Sequence, residues 1–536
     1  MIPDSIRKAI NRSIDIIVTH GDSFVLPPSY EIGLIRDRRE EVAELVTAIY
    51  AAFPDFPDTL PIRYDIVSTP VDDSGLRPIT QLDPIWNIYL LALVIAAGPA
   101  IERARVPRAC RVVHSFRFDH RDDSPALFDN NFGWLSFYDA GRERAARSNH
   151  VLSTDILTFS QTICHHHLGC ALRDACPDSD LVDRIMSVLN ALAEGRGFGL
   201  PVGAPSFSLL AELSLDSMDR MLSDNGIDYI RYIDDIRIFA ESTDEAQSAL
   251  SRLAQWLTSN TGFSLQKTKT YSLVSEAFLN RLPAAGDVAA ATNRGGSQEF
   301  MRLRVHVDRC FELDRLCADA NQRTIRSFDV VGLLGAELDK PRLNPNLVKR
   351  VVRSMIYLDH GHQAALVTLL ARNLERLSSI FQSVLQAYLD LHDSFDSETR
   401  SNFCSAVKAL WVGRSPILQV TANQSWVIRV LALAFDDLSE KILEELYHST
   451  ESAIVRRDVI IAMSNSSRHG FIEKVRERFS ELTDSERRAL IAAMHMLGKP
   501  GPGWSNEIAL SVFEGVVGAW ALEKRSATGG PARLPL

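Results

Sequence analysis

The feature that most constrains this chain is a pair of adjacent aspartates between two short β-rich runs. Residues 231–239 read Arg-Tyr-Ile-Asp-Asp-Ile-Arg-Ile-Phe. The flanking residues predict strands over 227–232 and 236–240, joined by a tight turn that carries Asp234 and Asp235. Two carboxylates this close raise each other's pKa unless a cation lies beside them. The hairpin therefore predicts a site for a hard divalent cation such as Mg²⁺, which prefers carboxylate oxygens and brings substrate phosphates with it.

A further carboxylate lies earlier in the chain, at the end of another short apolar run. Residues 151–155 read Val-Leu-Ser-Thr-Asp and predict a strand ending at Asp155, after which a helical pattern begins. If this strand lies beside the hairpin, Asp155 and Asp234 bracket two metals about 3.5–4 Å apart, which suits in-line phosphoryl displacement. The alternative for each aspartate alone is a turn or helix-cap residue.

Length and composition limit the number of domains and the class of protein. At 536 residues the chain is expected to fold as two or three domains, and 46% apolar with 24% charged residues is typical of a globular protein. A net charge of −10 disfavours tight non-specific binding of nucleic acid, although it leaves room for a local basic cleft. The apolar run 88–101 is too short to span a bilayer and predicts a buried helix, so no membrane contact is expected. Seven irregularly spaced cysteines and no secretory signal favour the cytoplasm.

The pattern of the chain changes near residue 290. Residues before it mix strand and helix periodicity, and we expect a first unit over 1–285 and a small, polar linker over 286–298. Helical periodicity then predicts an all-helical domain over 299–525 and a flexible tail over 526–536. The octapeptide 456–463 recurs at 487–494, with a weaker echo at 428–435. Such a period indicates stacked helix pairs of the HEAT type, with chance similarity between amphipathic helices as the alternative.

These residues resemble the reverse transcriptases. Tyr232-Ile-Asp-Asp matches the Tyr-x-Asp-Asp hairpin of that family, and Asp155 with Ile156 and Phe159 resembles the motif of the first catalytic aspartate. Two further motifs are similar to the family's Gly-x-Pro loop and to the motif whose lysine lies near the leaving pyrophosphate; they are Gly199–Gly203 followed by Leu209–Glu212, and Gly262–Leu265 followed by Lys269. All four occur in the family's order, which is far more specific than any one of them.

The resemblance implies a fold and a set of site residues. The fold class is α+β, with reverse-transcriptase-like fingers and palm built on a small antiparallel sheet with helices, followed by the all-α, HEAT-like domain. Asp155, Asp234, Asp235 and the backbone carbonyl of Ile156 would bind Mg²⁺ or Mn²⁺, and Lys269 would act as a general acid. The implied nucleotide contacts are Phe159, Ser160, Pro201, Gly203, Tyr232, Arg111 and Arg117. The two arginines stand in for a lysine, since none occurs between Lys8 and Lys267; for Arg117 a surface cation on a strand is the alternative.

Two positions depart from the family pattern. Ser160 stands where the family usually has Phe or Tyr, whose ring packs against the sugar and rejects ribonucleotides. The choice between deoxy- and ribonucleotides therefore stays open. Phe198 stands before the Gly-x-Pro loop, where templated relatives often carry glutamine.

The helical second half narrows the resemblance to bacterial abortive-infection (Abi) and related phage-defence reverse transcriptases. It implies an oligomeric DNA polymerase that works without a template and starts from a protein hydroxyl, so that the DNA product is covalently attached. Tyr30 is the candidate primer because Pro27 and Pro28 keep its segment out of regular structure; Tyr138, Tyr50 and Tyr447 are alternatives. Other readings are a templated RNA-dependent DNA polymerase with a bound non-coding RNA, or a defence module whose helical repeats bind a phage or host protein.

Overall fold

The computed structural model of the chain describes residues 2–23, 25–53, 61–71, 75–121, 124–282, 296–303, 322–498, 510–528 and 533–536. Its strands are β1 Tyr64–Val71, β2 Gly75–Leu82, β3 His150–Asp155, β4 Asp228–Tyr232, β5 Asp235–Ala240 and β6 Tyr271–Val274. The helices before the predicted linker are α1 Asp4–His20, α2 Glu31–Asp37, α3 Arg39–Ala52, α4 Pro84–Ala104, α5 Trp134–Ala145, α6 Phe159–Thr162, α7 His165–Ala175, α8 Ser179–Leu192, α9 Pro205–Ser214, α10 Asp216–Asp224, α11 Thr243–Asn260 and α12 Ser275–Leu279.

In the later part of the chain, the regular structure of the described residues is helical. They are α13 Ser297–Arg302, α14 Val330–Leu338, α15 Pro345–Ser354, α16 His360–Arg372, α17 Phe381–Leu391, α18 Ser397–Val412, α19 Thr421–Leu433, α20 Asp437–Ser449, α21 Ala453–Asn465, α22 His469–Arg476, α23 Asp484–Met496 and α24 Val512–Thr528. Most of the predicted linker 286–298 lies outside the described residues, and α13 begins at its end. The expected order, a mixed front part followed by an all-helical part, is confirmed for the described residues.

Two antiparallel sheets form in the front part. The hairpin β1–β2 stands alone, and the second sheet has the strand order β4-β5-β3-β6. The two strands predicted around the paired aspartates are confirmed, because β4 and β5 pair from Tyr232↔Asp235 outward. Leu152 and Ile236 are buried and place this sheet on the main hydrophobic core. The small antiparallel sheet expected from the sequence is therefore present.

The predicted buried helix is α4, which forms the centre of the front part. The Asp83 side chain caps it by accepting a hydrogen bond from the N–H of Ile85. By length and composition it is the one helix in the described part of the chain that could cross a membrane, but 89% of its most apolar window is buried inside the protein. It packs against α1, α3 and α9, as a core helix does.

The later helices pack on alternate neighbours. One row runs α15, α17, α19, α21, α23 and α24, and a second runs α14, α16, α18 and α20, with each helix touching the next in its row. Apart from the consecutive pair α23 and α24, each helix of a row thus packs on the helix two elements away. This two-layer arrangement is compatible with the HEAT-type repeat, which stays a prediction.

The repeated octapeptides share a buried arginine that contacts the front part of the chain. Arg488 donates to Oε1 of Glu31 at 2.7 Å, and an Nη atom of Arg457 lies 3.7 Å from the other carboxylate oxygen of Glu31. In the weaker echo, Arg429 donates to the carbonyl of Pro28 at 2.9 Å. The arginine at this repeated position therefore joins helices of the first row to the segment around α2.

The C-terminus differs from the predicted flexible tail. Helix α24 continues to Thr528, and Leu534 is buried in the core. Asn465 fixes this end by accepting a hydrogen bond from the N–H of Leu534 and donating one to its carbonyl, at 2.8 and 2.9 Å. A buried leucine with both backbone groups paired anchors the last residues, which Gly- and Pro-rich composition alone does not reveal.

Candidate active site

Three aspartates meet at one end of the four-stranded sheet. β3 and β5 are antiparallel neighbours, and their register places Asp155 directly opposite Asp235. Asp234 occupies the two-residue turn between Tyr232 and Asp235. Directly opposed residues of an antiparallel pair have Cα atoms about 4.5–5.5 Å apart and side chains on the same face. The structure thus brings together the three carboxylates singled out in the sequence.

The carboxylates repel one another in a partly desolvated place. Burial, followed by the charges of Asp155 and Asp235, raises the pKa of Asp234 to about 7. The same causes, burial first and then the charge of Asp155, also raise the pKa of Asp235. Shifts of this kind at a cluster of like charges are typical of functional sites.

This repulsion predicts a pH dependence of stability for the metal-free protein. Between about pH 4 and pH 7 the folded protein holds a proton on Asp234 that the unfolded chain has released, so stability falls as the pH rises through this window. Relative to Asp234→Asn, we expect the wild type to lose on the order of 4 kcal/mol across this window. Urea unfolding at a series of pH values in chelator measures the difference. Parallel pH profiles for the two proteins would contradict the prediction.

Lys269 lies against the first aspartate. Its Nζ donates to Oδ2 of Asp155 at 2.7 Å, while the rest of its side chain is largely exposed. Burial alone would lower the pKa of Lys269, but the hydrogen bond to Asp155 and the charges of Asp235 and Asp234 outweigh it, so the pKa is raised. The ammonium group is therefore charged and lies at the edge of the carboxylate cluster.

The donor set fits a hard divalent cation, although the carboxylates do not form a closed cage. Among the described residues no three carboxylate, imidazole or thiol groups converge as a ready-made metal site. At the end of the sheet where the aspartates meet, Lys269 bonds one oxygen of Asp155. Even with this ammonium present, burial first and then the charge of Asp155 raise the pKa values of Asp234 and Asp235. Carboxylate oxygens are the ligands that Mg²⁺ and Mn²⁺ prefer, so the cluster suits either ion.

Ile156 directly follows the first aspartate and is buried. The N–H of Gln266 donates to the carbonyl of Asp155, and the N–H of Leu157 donates to the carbonyl of Ser264, both at 2.8 Å. Ile156 lies between these bonded groups, opposite Leu265 in a short bridge. In such an antiparallel pair its own N–H and carbonyl point to the other side, toward the hairpin. The role of the Ile156 carbonyl as a metal ligand stays a prediction.

The aspartate turn has a strained backbone that is held from outside. Ile233 has a positive φ of 55°, which is a genuine outlier for a β-branched residue. Its N–H donates to Oγ of Ser115 at 2.8 Å, and its carbonyl accepts from Arg231 at 3.2 Å. These two contacts fix the residue that precedes Asp234. Neither contact was predicted, because Ser115 carries no motif of its own.

A buried network of charges lies beneath the turn. Ser115 Oγ donates to Glu212 at 2.6 Å, and Arg231 bonds Glu212 at 2.9 Å and Asp219 at 2.7 and 2.5 Å. Arg105 donates to the same Glu212 oxygen as Arg231, at 2.6 Å. Burial alone would raise the pKa of Glu212, but Arg231 and Arg105 more than offset it and the pKa is lowered. Arg231 of the Arg-Tyr-Ile-Asp-Asp motif therefore pairs with Glu212 of the Leu-Leu-Ala-Glu motif.

Arg117 and Arg111, the two arginines predicted to contact the triphosphate, lie in different environments. Arg117 is fully buried and donates to Glu102 at 3.2 Å and to the carbonyl of Val106 at 2.7 Å. An internal ion pair therefore replaces its predicted contact with a nucleotide, and the alternative of a surface cation is wrong as well. Arg111 is exposed, and its backbone carbonyl contacts the side chains of His114 and Arg144. Its role at the nucleotide stays a prediction.

The predicted priming residue is also internal. The side chain of Tyr30 is 1% exposed, and burial raises the pKa of its hydroxyl well above the ordinary value. It lies in the interior beside Glu31 and Arg488, where the front part of the chain meets the later helices. A hydroxyl in this position has no access to a nucleotide. The prolines before Tyr30 predicted the irregular backbone but not its burial.

Four more of the predicted nucleotide contacts, Phe159, Ser160, Pro201 and Gly203, lie in the Gly199–Gly203 loop or in the segment that supports it. Gly203 has a positive φ of 137°, and a Cβ there would lie 2.9 Å from the carbonyl oxygen of Thr80 in β2, so glycine is required for close packing. Pro201 is half-buried. Leu200, beside it in the loop, donates through its N–H to the carbonyl of half-buried Ser160 at 2.7 Å. Phe159 is buried and packs edge-on against Phe263. The loop is thus fixed between the β1–β2 hairpin and the segment that follows Asp155.

Tyr232 belongs to an aromatic cluster. Its ring stacks on Trp134, with the centroids 4.1 Å apart, and Phe137 lies next to both. Trp134 and Tyr138 are half-buried, so this cluster forms a wall beside the hairpin. The ring of Tyr232 therefore packs mainly against other aromatic side chains, whereas its position in the motif predicted a contact with the nucleotide.

The arrangement of the acidic residues suits a metal-dependent nucleotidyltransferase. The sequence profile of the family described as "Reverse transcriptase (RNA-dependent DNA polymerase)" matches residues 120–299, which include all three aspartates and Lys269. Residues 120–299 are therefore a reverse transcriptase domain, and the chain is an enzyme of the DNA polymerase class.

Comparisons over the whole chain add only distant similarities. No curated protein matches it by sequence. Among solved structures, telomerase from Candida albicans in complex with a fragment of telomeric RNA is 10% identical, with 73% of this chain and 70% of that chain covered and a TM-score of 0.33. Apo telomerase from Candida tropicalis is 9% identical, covers 73% and 72%, and has a TM-score of 0.29. Similarities this weak carry no argument, and the assignment depends on the family match and the site.

Proposed function

We propose that the chain is a metal-dependent DNA polymerase of anti-phage defence that works without a template and starts from one of its own tyrosines. The observation that carries the polymerase part is the meeting of Asp155, Asp234 and Asp235 at the end of one sheet, inside a reverse transcriptase domain. The acidic chain and the helical second half support the untemplated mode, as does the resemblance to the Abi group.

The residues of the site divide the chemistry between them. Asp155, Asp234, Asp235 and the Ile156 carbonyl would hold the metal, which when bound lowers the pKa of the attacking hydroxyl and stabilises the charge on the phosphates. Lys269, charged and hydrogen-bonded to Asp155, is suited to give its Nζ proton to the leaving pyrophosphate. Ser115 and Arg231 hold the turn so that the carboxylates keep their positions.

Tyr271 replaces Tyr30 as the candidate priming residue. It is 45% exposed and lies on β6 directly opposite Ser153 of β3. Residues two apart on a strand share a face, so Tyr271, Ser153 and Asp155 point to the same side of the sheet. Burial lowers the pKa of Arg237, whereas Tyr138, Asp235 and Tyr271 act to raise it, which is consistent with Tyr271 and Asp235 lying on one face.

The priming proposal is tested by labelling and mass spectrometry of the purified chain. With Mg²⁺ and labelled nucleotides, we expect covalently attached nucleotide on the wild type and on the Tyr447→Phe control, and none on Tyr271→Phe. Extension of an added oligonucleotide by Tyr271→Phe would show that the polymerase site is intact. Undiminished labelling of Tyr271→Phe would contradict the residue assignment. A product that follows the sequence of an added RNA, with no attached nucleotide, would favour the templated alternative.

A further inference from the structure

A cavity lies where the β1–β2 hairpin meets α2 and two helices of the first row, α21 and α23. Its volume is about 370 Å³, which is within the range of small-molecule sites. Its lining is rich in charged side chains and includes the carboxylates of Glu31, Asp65, Asp83 and Asp484. None of the residues that line it belongs to the four polymerase motifs. The cavity is therefore separate from the catalytic aspartates.

The carboxylate of Asp65 is the one that lacks a partner in this lining. Each arginine of the lining has a carboxylate at 3.0 Å or less; the pairs are Arg63–Asp484, Arg488–Asp83, Arg488–Glu31 and Arg457–Asp458. Half-buried Asp65 has neither an ion pair nor a hydrogen bond in the part of the chain that the structure describes. Burial raises the pKa of Asp65, and the charge of Arg457, which acts to lower it, does not offset this effect.

Gln81 places a second acceptor beside Asp65. The register of the β1–β2 hairpin sets Asp65 directly opposite Gln81, so the two side chains are neighbours on one face of the hairpin. Gln81 is 5% exposed and lines the cavity, and its Nε2 donates to Asp22 at 3.0 Å. Its Oε1 has no hydrogen-bond partner. Because Nε2 is directed at Asp22, which lies outside the lining, Oε1 is the atom left to face the cavity.

Glu31 supplies a third acceptor, from the start of α2. Its side chain is fully buried, and its Oε1 accepts a hydrogen bond from Arg488 at 2.7 Å. Its Oε2 has no hydrogen bond and lies 3.7 Å from Nη1 of Arg457. Buried polar oxygens are nearly always hydrogen-bonded, so unsatisfied oxygens around one cavity indicate that a donor fills it.

The lining favours an organic cation over a metal ion as this donor. Three guanidinium groups border the same space and repel a bare dication. No three carboxylate, imidazole or thiol groups converge on a metal position anywhere in the described ranges. An ammonium group instead carries three N–H donors on one positive charge, and its hydrogen bonds to carboxylates are charge-assisted and strong.

We propose that this acceptor-lined cavity, defined by Glu31, Asp65 and Gln81, binds a small organic cation whose ammonium groups donate hydrogen bonds to these side chains. A bound cation connects the hairpin to α2, which Arg488 already joins to α23. It therefore links the front part of the chain to the helical part, independently of the polymerase reaction. The sequence did not indicate this site, because its three acceptors come from three separate elements and carry no motif.

The test is calorimetric titration of the full chain with 1,4-diaminobutane in chelator. The control ligand is the hexamethylated diamine, which keeps both positive charges but has no N–H donor. We expect the diamine to bind, and the hexamethylated diamine to bind about tenfold more weakly or not at all. Asp65→Asn should weaken binding of the diamine about tenfold or more, because a charge-assisted hydrogen bond is lost. Asp183→Asn, on an exposed position of α8, is the matched control and should leave the affinity unchanged.

The outcomes separate this cavity from the carboxylates of the polymerase site, which could also attract a diamine. Binding that persists in Asp234→Asn with Asp235→Asn and weakens in Asp65→Asn supports the proposal, whether or not the wild type is active as a polymerase. The opposite pattern overturns it, because the diamine would then lie among the catalytic aspartates.

Two results with the wild type alone would also overturn the proposal. Equal affinity for the diamine and its hexamethylated form would mean that charge without hydrogen bonds accounts for binding. No binding of the diamine at millimolar concentration would mean that the cavity holds water only. Thermal unfolding of ligand-free Asp65→Asn checks that this variant folds; if it does not, the comparison of the two ligands on the wild type still decides the question.

Discussion

Replacing Asp234 and Asp235 together by asparagine is expected to abolish nucleotide incorporation while stabilising the metal-free protein. The activity should fall about 10³-fold or more, because the ligands that hold the metal contribute several kcal/mol to the transition state. Stability should rise because the substitutions remove two charges from the cluster in which the pKa of Asp234 reaches about 7. Incorporation of labelled nucleotides with Mg²⁺ or Mn²⁺ and thermal unfolding in chelator measure the two effects.

The opposite signs of the two effects make this experiment informative. A variant that merely misfolds loses both activity and stability, whereas a metal site built from repelling carboxylates loses activity and gains stability. Asp224→Asn, on an exposed position at the end of α10, is the matched control and should leave both unchanged. Wild-type incorporation by the double variant would refute the assignment of the site.

The same double variant distinguishes two hypotheses, that the protein defends by polymer synthesis or that it defends by binding another protein. If polymer synthesis is the defensive activity, cells that carry Asp234→Asn with Asp235→Asn should lose protection from phage at equal protein levels. Full protection by this variant would favour helical repeats that bind a phage or host protein. In that case the inner faces of α21 and α23 are poor candidates for the partner surface, because Arg457 and Arg488 there already contact Glu31.

The sequence was sufficient for the carboxylates because each lies in a short element with its own signal. Strand periodicity around Asp155 and around Asp234 predicted the elements, and the order of the motifs implied that these strands are neighbours, as the Asp155↔Asp235 register shows. The burial of Arg117 and Tyr30 could not be predicted in this way. Whether an arginine or a tyrosine is exposed depends on its partners, and the carboxylate of Glu31, next to Tyr30, is paired with Arg488, 457 residues later.

The buried network under the turn is a second feature that the sequence predicted only in part. Arg231 sits in a strand between Ile230 and Tyr232, where a charge needs a partner to be buried, so the sequence indicates that one exists. It does not indicate which residue it is. The structure identifies Glu212 and Asp219, and it adds Arg105 and Ser115 from the segment before α5. Paired charges of this kind are expected where a strained turn must be held in one position.

Glu212→Ala is expected to be the most destabilising single substitution considered for this chain. It leaves Arg231 and Arg105 in the interior without their shared carboxylate, and breaking a buried pair from one side typically costs about 3–5 kcal/mol. Glu212→Gln, which keeps the acceptor for Ser115, should lose less. Glu276→Ala, on an exposed position of α12, is the control. Urea unfolding measures the losses, and a cost below about 1 kcal/mol for Glu212→Ala would mean that the network is not a coupled unit.

Ser115→Ala distinguishes a positioning role from a purely structural one. The hydroxyl links Glu212 to the N–H of Ile233, so its removal should cost only about 1–2 kcal/mol of stability. Because the strained turn then loses its anchor, kcat should fall about tenfold while KM for the nucleotide stays unchanged. Ser115→Thr keeps a hydroxyl and should recover much of the lost kcat. A Ser115→Ala enzyme with wild-type kcat and reduced stability would show that the network only supports the fold, whereas a selective loss of kcat connects these buried charges to the position of the catalytic aspartates.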